Sequence, residues 1–157
     1  MSGTFTKSMA RNIFYGGSAF FLLLFLALTF DTTQALPKRD MRQVIDPGPN
    51  ATEAQKELAK QVALGKKVWE DHDCIGCHTL LGEGAYFAPE LGNVYKRFGN
   101  STDAIVAFIK SRPENGVPGR RSMPQFHMSD KELNAVAQFL KYASEINSNN
   151  WPPNIQG

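Results

Sequence analysis

The chain contains only two cysteines, Cys74 and Cys77, and His78 directly follows the second one. This Cys-x-x-Cys-His spacing is the attachment site of a c-type haem. Two thiols three positions apart can form thioethers with the two vinyl groups of one porphyrin, and the adjacent imidazole can then bind the iron. The motif therefore predicts one covalently bound haem c with His78 as an axial ligand. A haem held in this way carries electrons.

A Cys-x-x-Cys pair also occurs in zinc sites and in thiol redox centres. A zinc site needs further thiols or suitably spaced histidines, and His72 and His127 do not form such a pair. A thioredoxin-like pair is expected in a βαβ setting, and no strand pattern surrounds this one. The haem interpretation is therefore favoured, and it uses both cysteines.

The second axial ligand has to come from elsewhere, and Met123 is the candidate, with histidine, lysine or an empty position as alternatives. Met128 immediately precedes Ser129, a predicted helix cap, so Met128 is expected to form a hydrophobic staple with Leu133. Met123 lies in an irregular loop before Pro124, where no helix face requires it. A methionine that fills a gap in the core is the other interpretation of Met123. A thioether ligand would raise the reduction potential relative to two histidines.

Other side chains near the motif are candidates for contacts with the haem. Arg120 and Arg121 could pair with the propionates, because guanidinium groups form paired hydrogen bonds with carboxylates. Two solvated loop cations are an equally good interpretation. Four aromatic residues are candidate walls of the haem crevice, and core packing would explain them as well: Tyr86, Phe87, Phe126 and Phe139.

A long apolar segment precedes these residues. The chain has no charged residue from Asn12 to Phe30, and at 1.5 Å per residue such a run nearly crosses a ~30 Å hydrocarbon layer. Lys7 and Arg11 precede the run and Asp31 follows it, which predicts a cytoplasmic N-terminus and an exported haem domain. A cleavable signal peptide has an apolar region of only about 7–15 residues, so an uncleaved anchor is favoured. Attachment of c-type haem on the oxidising, exported side agrees with this orientation.

Four segments are predicted from these patterns: a cytoplasmic N-terminus over residues 1–11, a transmembrane anchor over 12–31, a linker over 32–50 and a periplasmic haem domain over 51–157. In the last segment, Thr52 with Gln55 and Ser129 with Glu132 match the capping box that begins a helix. A further helix is expected after Ser101 or Thr102 and a short one after Pro89. No convincing alternating strand pattern is present, so the domain is predicted to be all-α.

Length and charge limit the classes of function. The 157 residues are enough for one domain and an appendage. The formal net charge is +2, which gives no electrostatic reason to expect a nucleic-acid partner.

Several runs outside the haem motif are distinctive: TFTK and ARN within residues 4–12, LLGEGAYFAPELGNV over 80–94, GRRSMPQF over 119–126 and NNWPPN over 149–154. With these runs, the chain resembles the cytochrome c subunit of bacterial cytochrome-c-dependent nitric oxide reductase, the small subunit of a two-subunit membrane complex. The resemblance extends almost from end to end. It implies a single transmembrane helix followed by a class I cytochrome c domain, in a bacterial inner membrane.

The resemblance also implies a function. The family reduces two nitric oxide molecules to nitrous oxide and water in a large multi-span subunit that contains haem b, haem b3 and non-haem iron. The small subunit has no catalytic site and passes electrons to haem b from a soluble cytochrome c or a blue-copper protein. The implied haem ligands are His78 and Met123. The resemblance further implies a calcium ion at the subunit interface, to which Gly84 and Tyr86 are candidate contributors; a carbonyl and a phenol alone make a poor calcium site, so most ligands would come from elsewhere.

Two other functions share part of this pattern. A membrane-anchored cytochrome c of another respiratory complex, such as a haem–copper oxidase, would have the same motif and anchor. A thiol oxidoreductase would use the two cysteines without a haem.

Overall fold

The computed structural model describes residues 5–39, 42–149 and 151. The chain separates into two compact units, residues 1–40 and 41–157. Each unit is described by itself.

The first unit is a single helix, α1, over Lys7–Arg39. Its stretch Lys7–Leu36 is long and apolar enough to cross a membrane, by length and composition, and none of its apolar window is buried. Thirty residues of α-helix measure about 45 Å, so this stretch exceeds a ~30 Å hydrocarbon layer. The length and composition of the helix therefore fit the predicted anchor. A signal sequence can meet the same two criteria.

The predicted linker over residues 32–50 differs from the structure. Helix α1 continues past Asp31 to Arg39, because no glycine or proline interrupts the chain between Asp31 and Leu36. A second helix, α2, covers Arg42–Ile45, and Val44 packs against the core of the second unit. Among the described residues of this region, an irregular part lies at residues 46–52, where the predicted Pro- and Gly-rich break lies. The four segment boundaries as a set stay a prediction.

The second unit is a helical domain. Its helices are α3 over Glu53–Asp71, α4 over Val94–Arg97, α5 over Thr102–Lys110 and α6 over Asp130–Glu145. The buried core joins α3 to α6 and consists of Val62, Val68, Trp69, Val94, Ile105, Ile109, Leu133, Val136, Ala137, Phe139 and Leu140. The domain is all-α at the level of fold class, as predicted.

The helix caps follow the sequence signals. Thr52 Oγ1 accepts from Gln55 N at 3.3 Å, and the Gln55 side chain accepts from Thr52 N at 2.9 Å. Ser129 and Glu132 form the same reciprocal pair at the start of α6. Ser101, the first of the two candidates, caps α5 and accepts from Ala104 N. Both predicted capping boxes are confirmed.

Helices α3 and α6 pack backbone to backbone at Gly65. A Cβ at this position would lie 2.6 Å from the carbonyl carbon of Ala135 and 2.7 Å from Cβ of Phe139. Only glycine allows this approach, which explains why a residue that costs about 1 kcal/mol relative to alanine is kept inside a helix. One turn further along, the Trp69 ring lies 6.2 Å from that of Phe139.

A small antiparallel hairpin was not predicted. Strand β1 covers Thr79–Leu80 and β2 covers Glu83–Gly84, with Thr79 opposite Gly84. The two connecting residues, Leu81 and Gly82, both have positive φ, at 53° and 90°, as a tight type I′ turn requires. Two-residue strands are too short to produce an alternating pattern, so the sequence contained no signal for them.

Candidate functional site

The Cys-x-x-Cys-His motif lies on one tight turn immediately after α3. A 3₁₀ turn covers Cys74–Gly76 and follows Asp73, whose φ of 49° is left-handed. The amides of Cys77 and His78 both donate to the carbonyl of Cys74, at 3.2 and 2.9 Å. The backbone of the motif is therefore folded into the compact turn that brings two thiols and an imidazole to one ligand.

The ring of His78 is held by one hydrogen bond. Its Nδ1 lies 2.6 Å from the carbonyl oxygen of Pro89, and since that oxygen can only accept, Nδ1 carries the proton. Burial lowers the pKa of His78, the Pro89 hydrogen bond acts in the opposite direction, and the positive charge of Arg97 lowers it further. The imidazole is thus held neutral with its Nε2 lone pair available, which is the form that binds iron.

The carbonyl of Pro89 is held in place from both sides. Ala88 N donates to Cys77 O at 2.8 Å, and Leu91 N donates to Thr79 O at 2.9 Å. The segment that carries Pro89 is therefore tied to the backbone on both sides of His78. This arrangement positions the acceptor independently of the histidine side chain.

The two thiols differ in environment. Cys74 is half-buried and packs against the core, whereas Cys77 is exposed. Burial raises the pKa of Cys74 to about 11. A nucleophilic thiol centre needs the opposite, a lowered thiol pKa. Burial of Cys74 therefore disfavours the alternative function of a thiol oxidoreductase.

Gly84 lies directly against the motif. It adopts a φ of +114°, and a Cβ there would collide with the carbonyl oxygen of His78 and lie 2.7 Å from Cγ1 of Ile75. The next residue, Ala85, donates from its N to Ile75 O at 3.0 Å. The hairpin is therefore packed on the turn that carries the cysteines.

Tyr86 and Phe87 follow on the surface, with exposed fractions of 70 % and 56 %. The Tyr86 hydroxyl donates to Gly82 O at a long 3.4 Å. Within the described residues, no group of three or more His, Cys, Asp or Glu side chains could hold a metal ion. Calcium contacts at Gly84 and Tyr86 stay a prediction.

Met123 lies in the irregular segment between α5 and α6, which runs over residues 111–129. Met123 and Met128 are both half-buried against the core. Met128 precedes the Ser129 cap, as the staple interpretation requires. The loop near Met123 is fixed because Gln125 N donates to Pro113 O at 3.0 Å. Met123 is thus available on an anchored loop, and its role as an iron ligand stays a prediction.

The predicted propionate contacts and crevice walls have other partners in the structure. Arg121 donates from a guanidinium nitrogen to Phe87 O at 3.1 Å, and its guanidinium lies 4.7 Å from the centre of the Phe87 ring. Arg120 is exposed. Phe126 pairs with the ring of His72 at 5.8 Å, and Phe139 is a buried core residue. Propionate contacts of Arg120 and Arg121 stay a prediction. In the structure, Arg121 links the loop that carries Met123 to Phe87, which follows the hairpin.

Sequence reasoning missed two charged residues next to the motif. Glu90 is only 2 % exposed, and its backbone oxygen accepts from Arg97 at 2.5 Å. Burial lowers the pKa of Arg97, and the charge of Glu90 acts against that shift. A lone acid in a Gly- and Pro-rich stretch is usually a solvated loop residue, so composition gave no signal that Glu90 is buried.

The donor set fits a c-type haem. The described residues place two thiols on one turn, a neutral imidazole with one free nitrogen beside them, and a half-buried thioether on a fixed loop against the same core. The thiols and the imidazole are the groups that a c-type haem requires, and the thioether is a suitable second ligand for its iron. Together these groups match no zinc or thiol redox site.

Comparison with known proteins agrees with this assignment. The sequence pattern of the cytochrome c family matches residues 62–144. The chain is 49 % identical over 160 residues to the nitric oxide reductase C subunit of Stutzerimonas stutzeri, with both chains covered completely. It is 47 % identical over 163 residues to the protein of the same name from Paracoccus denitrificans, again over the full length of both. The corresponding protein of Cereibacter sphaeroides is 43 % identical over 163 residues, also with full coverage.

Proposed function

The chain belongs to the cytochrome c family and, within it, to the family of nitric oxide reductase C subunits, and from this premise we propose that it is the electron-transfer subunit of a nitric oxide reductase. The observation that carries the proposal is the His78–Pro89 hydrogen bond. It orients a neutral imidazole beside two thiols on one turn, and such a site serves a bound redox group.

In this assignment, Cys74 and Cys77 would attach one haem c, and His78 and Met123 would bind its iron. The haem would supply a one-electron oxidation and reduction. Binding of the iron by the Met123 thioether would favour electron transfer over gas binding.

Electrons enter from a soluble periplasmic donor, a small cytochrome c or a blue-copper protein. They leave to haem b of the large multi-span subunit, which also contains haem b3 and non-haem iron. There, two nitric oxide molecules, two electrons and two protons give nitrous oxide and water. The chain itself contributes no catalytic residue.

Helix α1 anchors the subunit in the inner membrane with Lys7 and Arg11 on the cytoplasmic side. The apolar character of Lys7–Leu36 and the basic residues before its centre support this orientation. The haem domain is then periplasmic. Calcium at the interface with the large subunit is part of the same proposal, with Gly84 and Tyr86 as minor contributors, because both lie exposed beside the haem motif.

The deciding experiment is purification of the chain from its native membrane through an affinity tag. We expect a covalent haem on a denaturing gel, and co-purification of a multi-span subunit that contains haem b and non-haem iron. The complex should reduce nitric oxide with electrons from a reduced soluble cytochrome. A matched Cys77→Ala variant should lose the haem stain. A copper-containing oxidase as the partner would contradict the proposal in favour of the haem–copper oxidase alternative, and a band without haem would contradict both.

A further inference from the structure

Glu90 is a buried acid without an assigned role. Only 2 % of its surface is exposed. Its Oε1 accepts from Leu81 N at 2.8 Å and from Gly92 N at 2.9 Å. Its Oε2 has no hydrogen-bond partner in the part of the chain that the structure describes. Burial of a carboxylate with one incompletely satisfied oxygen costs free energy. The two hydrogen bonds from amides do not by themselves account for this burial.

The fold makes room for this carboxylate. A Cβ at position 92 would lie 2.7 Å from Glu90 Oε1 and 3.3 Å from Oε2, and 3.0 Å from Cδ2 of Leu81. A side chain at position 92 would therefore have to displace the Glu90 carboxylate from its present position. The acid is enclosed by the backbone of the hairpin turn on one side and by Gly92 on the other.

Glu90 is also linked through Pro89 to His78, the proposed haem ligand. It follows Pro89, whose carbonyl accepts from His78 Nδ1 at 2.6 Å. Its own backbone oxygen accepts from Arg97 at 2.5 Å. Residue 90 is thus anchored through both its side chain and its backbone, and this anchoring fixes the carbonyl that orients the imidazole.

We propose that Glu90 is a positioning residue that holds the Pro89 carbonyl against His78, and that its buried negative charge lowers the reduction potential of the bound haem. The inference rests on the proposed haem binding at His78. A negative charge stabilises the oxidised, more positive iron, and its effect is large where water does not screen it. Arg97 opposes this effect, since its charge has the other sign and lowers the pKa of His78.

The charge is tested by Glu90→Gln in the full-length haem-loaded chain in detergent, with the reduction potential measured by spectroelectrochemistry. Glutamine keeps an oxygen acceptor for the two amides and removes the charge. We expect the equilibrium constant for reduction to rise about tenfold, which corresponds to ~59 mV for one electron. Arg97→Gln should move the potential in the opposite direction.

The direction of the shift in reduction potential distinguishes the proposed charge effect from a loosened fold. A loosened site admits water, which lowers the potential in both variants, because burial is one of the factors that sets it. Glu83→Gln is the matched control, since Glu83 is an exposed acid on the hairpin whose Leu81 amide donates to Glu90, and its shift should be several-fold smaller. An unchanged or lowered potential in Glu90→Gln, or an equal shift in Glu83→Gln, overturns the charge effect. If Glu90→Gln does not fold, the neutral variant Glu90→Ala is measured instead, and an unchanged or lowered potential there overturns the charge effect.

Positioning is tested by Glu90→Asp, which keeps the charge and shortens the reach to the two amides. The resonance of the His78 ring N–H should shift in the NMR spectrum of the reduced protein, while the potential moves less than in Glu90→Gln. An unchanged resonance overturns the positioning role. Absence of haem from the parent chain would instead contradict the proposed function, so the two failures are distinguishable.

Discussion

The carbonyl oxygen of Pro89 lies 2.6 Å from Nδ1 of His78, which stands 11 residues earlier in the chain. A carbonyl only accepts, so the contact fixes both the tautomer and the plane of the imidazole. The nitrogen proposed to bind the iron is therefore oriented by a backbone atom that no side-chain substitution can remove. The properties of the site depend on the whole segment around Pro89 as well as on His78.

Replacing His78 by alanine is expected to abolish the low-spin haem spectrum, because the imidazole that directly follows the two thiols, the proposed iron ligand, is lost. Absorption spectroscopy of the reduced protein measures this loss. His127→Ala is the control, since His127 is exposed and pairs with Glu114 at 2.8 Å. A His78→Ala protein with an unchanged low-spin spectrum would contradict the ligand assignment.

Met123→Ala is expected to lower the reduction potential and to open the iron to carbon monoxide, because the thioether is the proposed sixth ligand. Titration with carbon monoxide, followed by absorption, tests this change. Met128→Ala should reduce stability by about 2–5 kcal/mol, as truncation of a packed methionine does, without creating carbon monoxide binding. If only Met128→Ala gains carbon monoxide binding, the two methionines have been assigned the wrong way round.

The thiol of Cys74 is expected to react slowly in protein made without haem. Burial raises its pKa from 9.0 to about 11, so the folded chain keeps the proton to a higher pH than the unfolded chain does. Folding stability should therefore fall as the pH rises from about 9 towards about 11. The rate of alkylation of a Cys77→Ser variant, followed against pH, measures the shift, with Cys74→Ser reporting the exposed Cys77. Fast alkylation of Cys74 at pH 7 would be incompatible with this environment.

Gly65→Ala is expected to destabilise the haem domain by about 1–3 kcal/mol, because overpacking against the backbone of Ala135 outweighs the gain in helix propensity of about 1 kcal/mol. Urea unfolding measures the difference through the midpoint at constant slope. Ala63→Gly, at an exposed position of the same helix, isolates the propensity contribution. A more stable Gly65→Ala protein would show that the two helices separate easily.

Replacing residues 1–40 by a cleavable export signal should give a soluble haem protein, because the remaining residues form a separate compact unit. Fractionation followed by a haem stain measures the outcome. The full-length chain, processed in parallel, should stay with the membranes. A truncated haem protein that still sediments with membranes would show that α1 is not the sole anchor.

The sequence predicted the features that local chemistry determines. Thr52 and Ser129 begin helices because their hydroxyls accept amide protons that a helix leaves unpaired, and this interaction needs only four consecutive residues. The haem motif is local in the same sense.

The features that escaped prediction depend on contacts between distant residues. The hairpin at Thr79–Leu80 exists because its turn packs Gly84 against His78 O, and two-residue strands have no periodicity. Glu90 is buried because Gly92 and the Leu81 amide surround it, which composition cannot indicate. Helix α1 extends beyond the predicted anchor because a single charge, Asp31, does not end a helix.

The backbone contact between Gly65 and Ala135 bears on the proposed electron transfer. No compressible side chain separates α3 from α6 there, and the turn with both cysteines begins three residues after α3 ends. The crossing would therefore hold the proposed haem at a fixed location in this domain. A scaffold of this rigidity would contribute little reorganisation energy, so each electron could pass without a rearrangement of the protein.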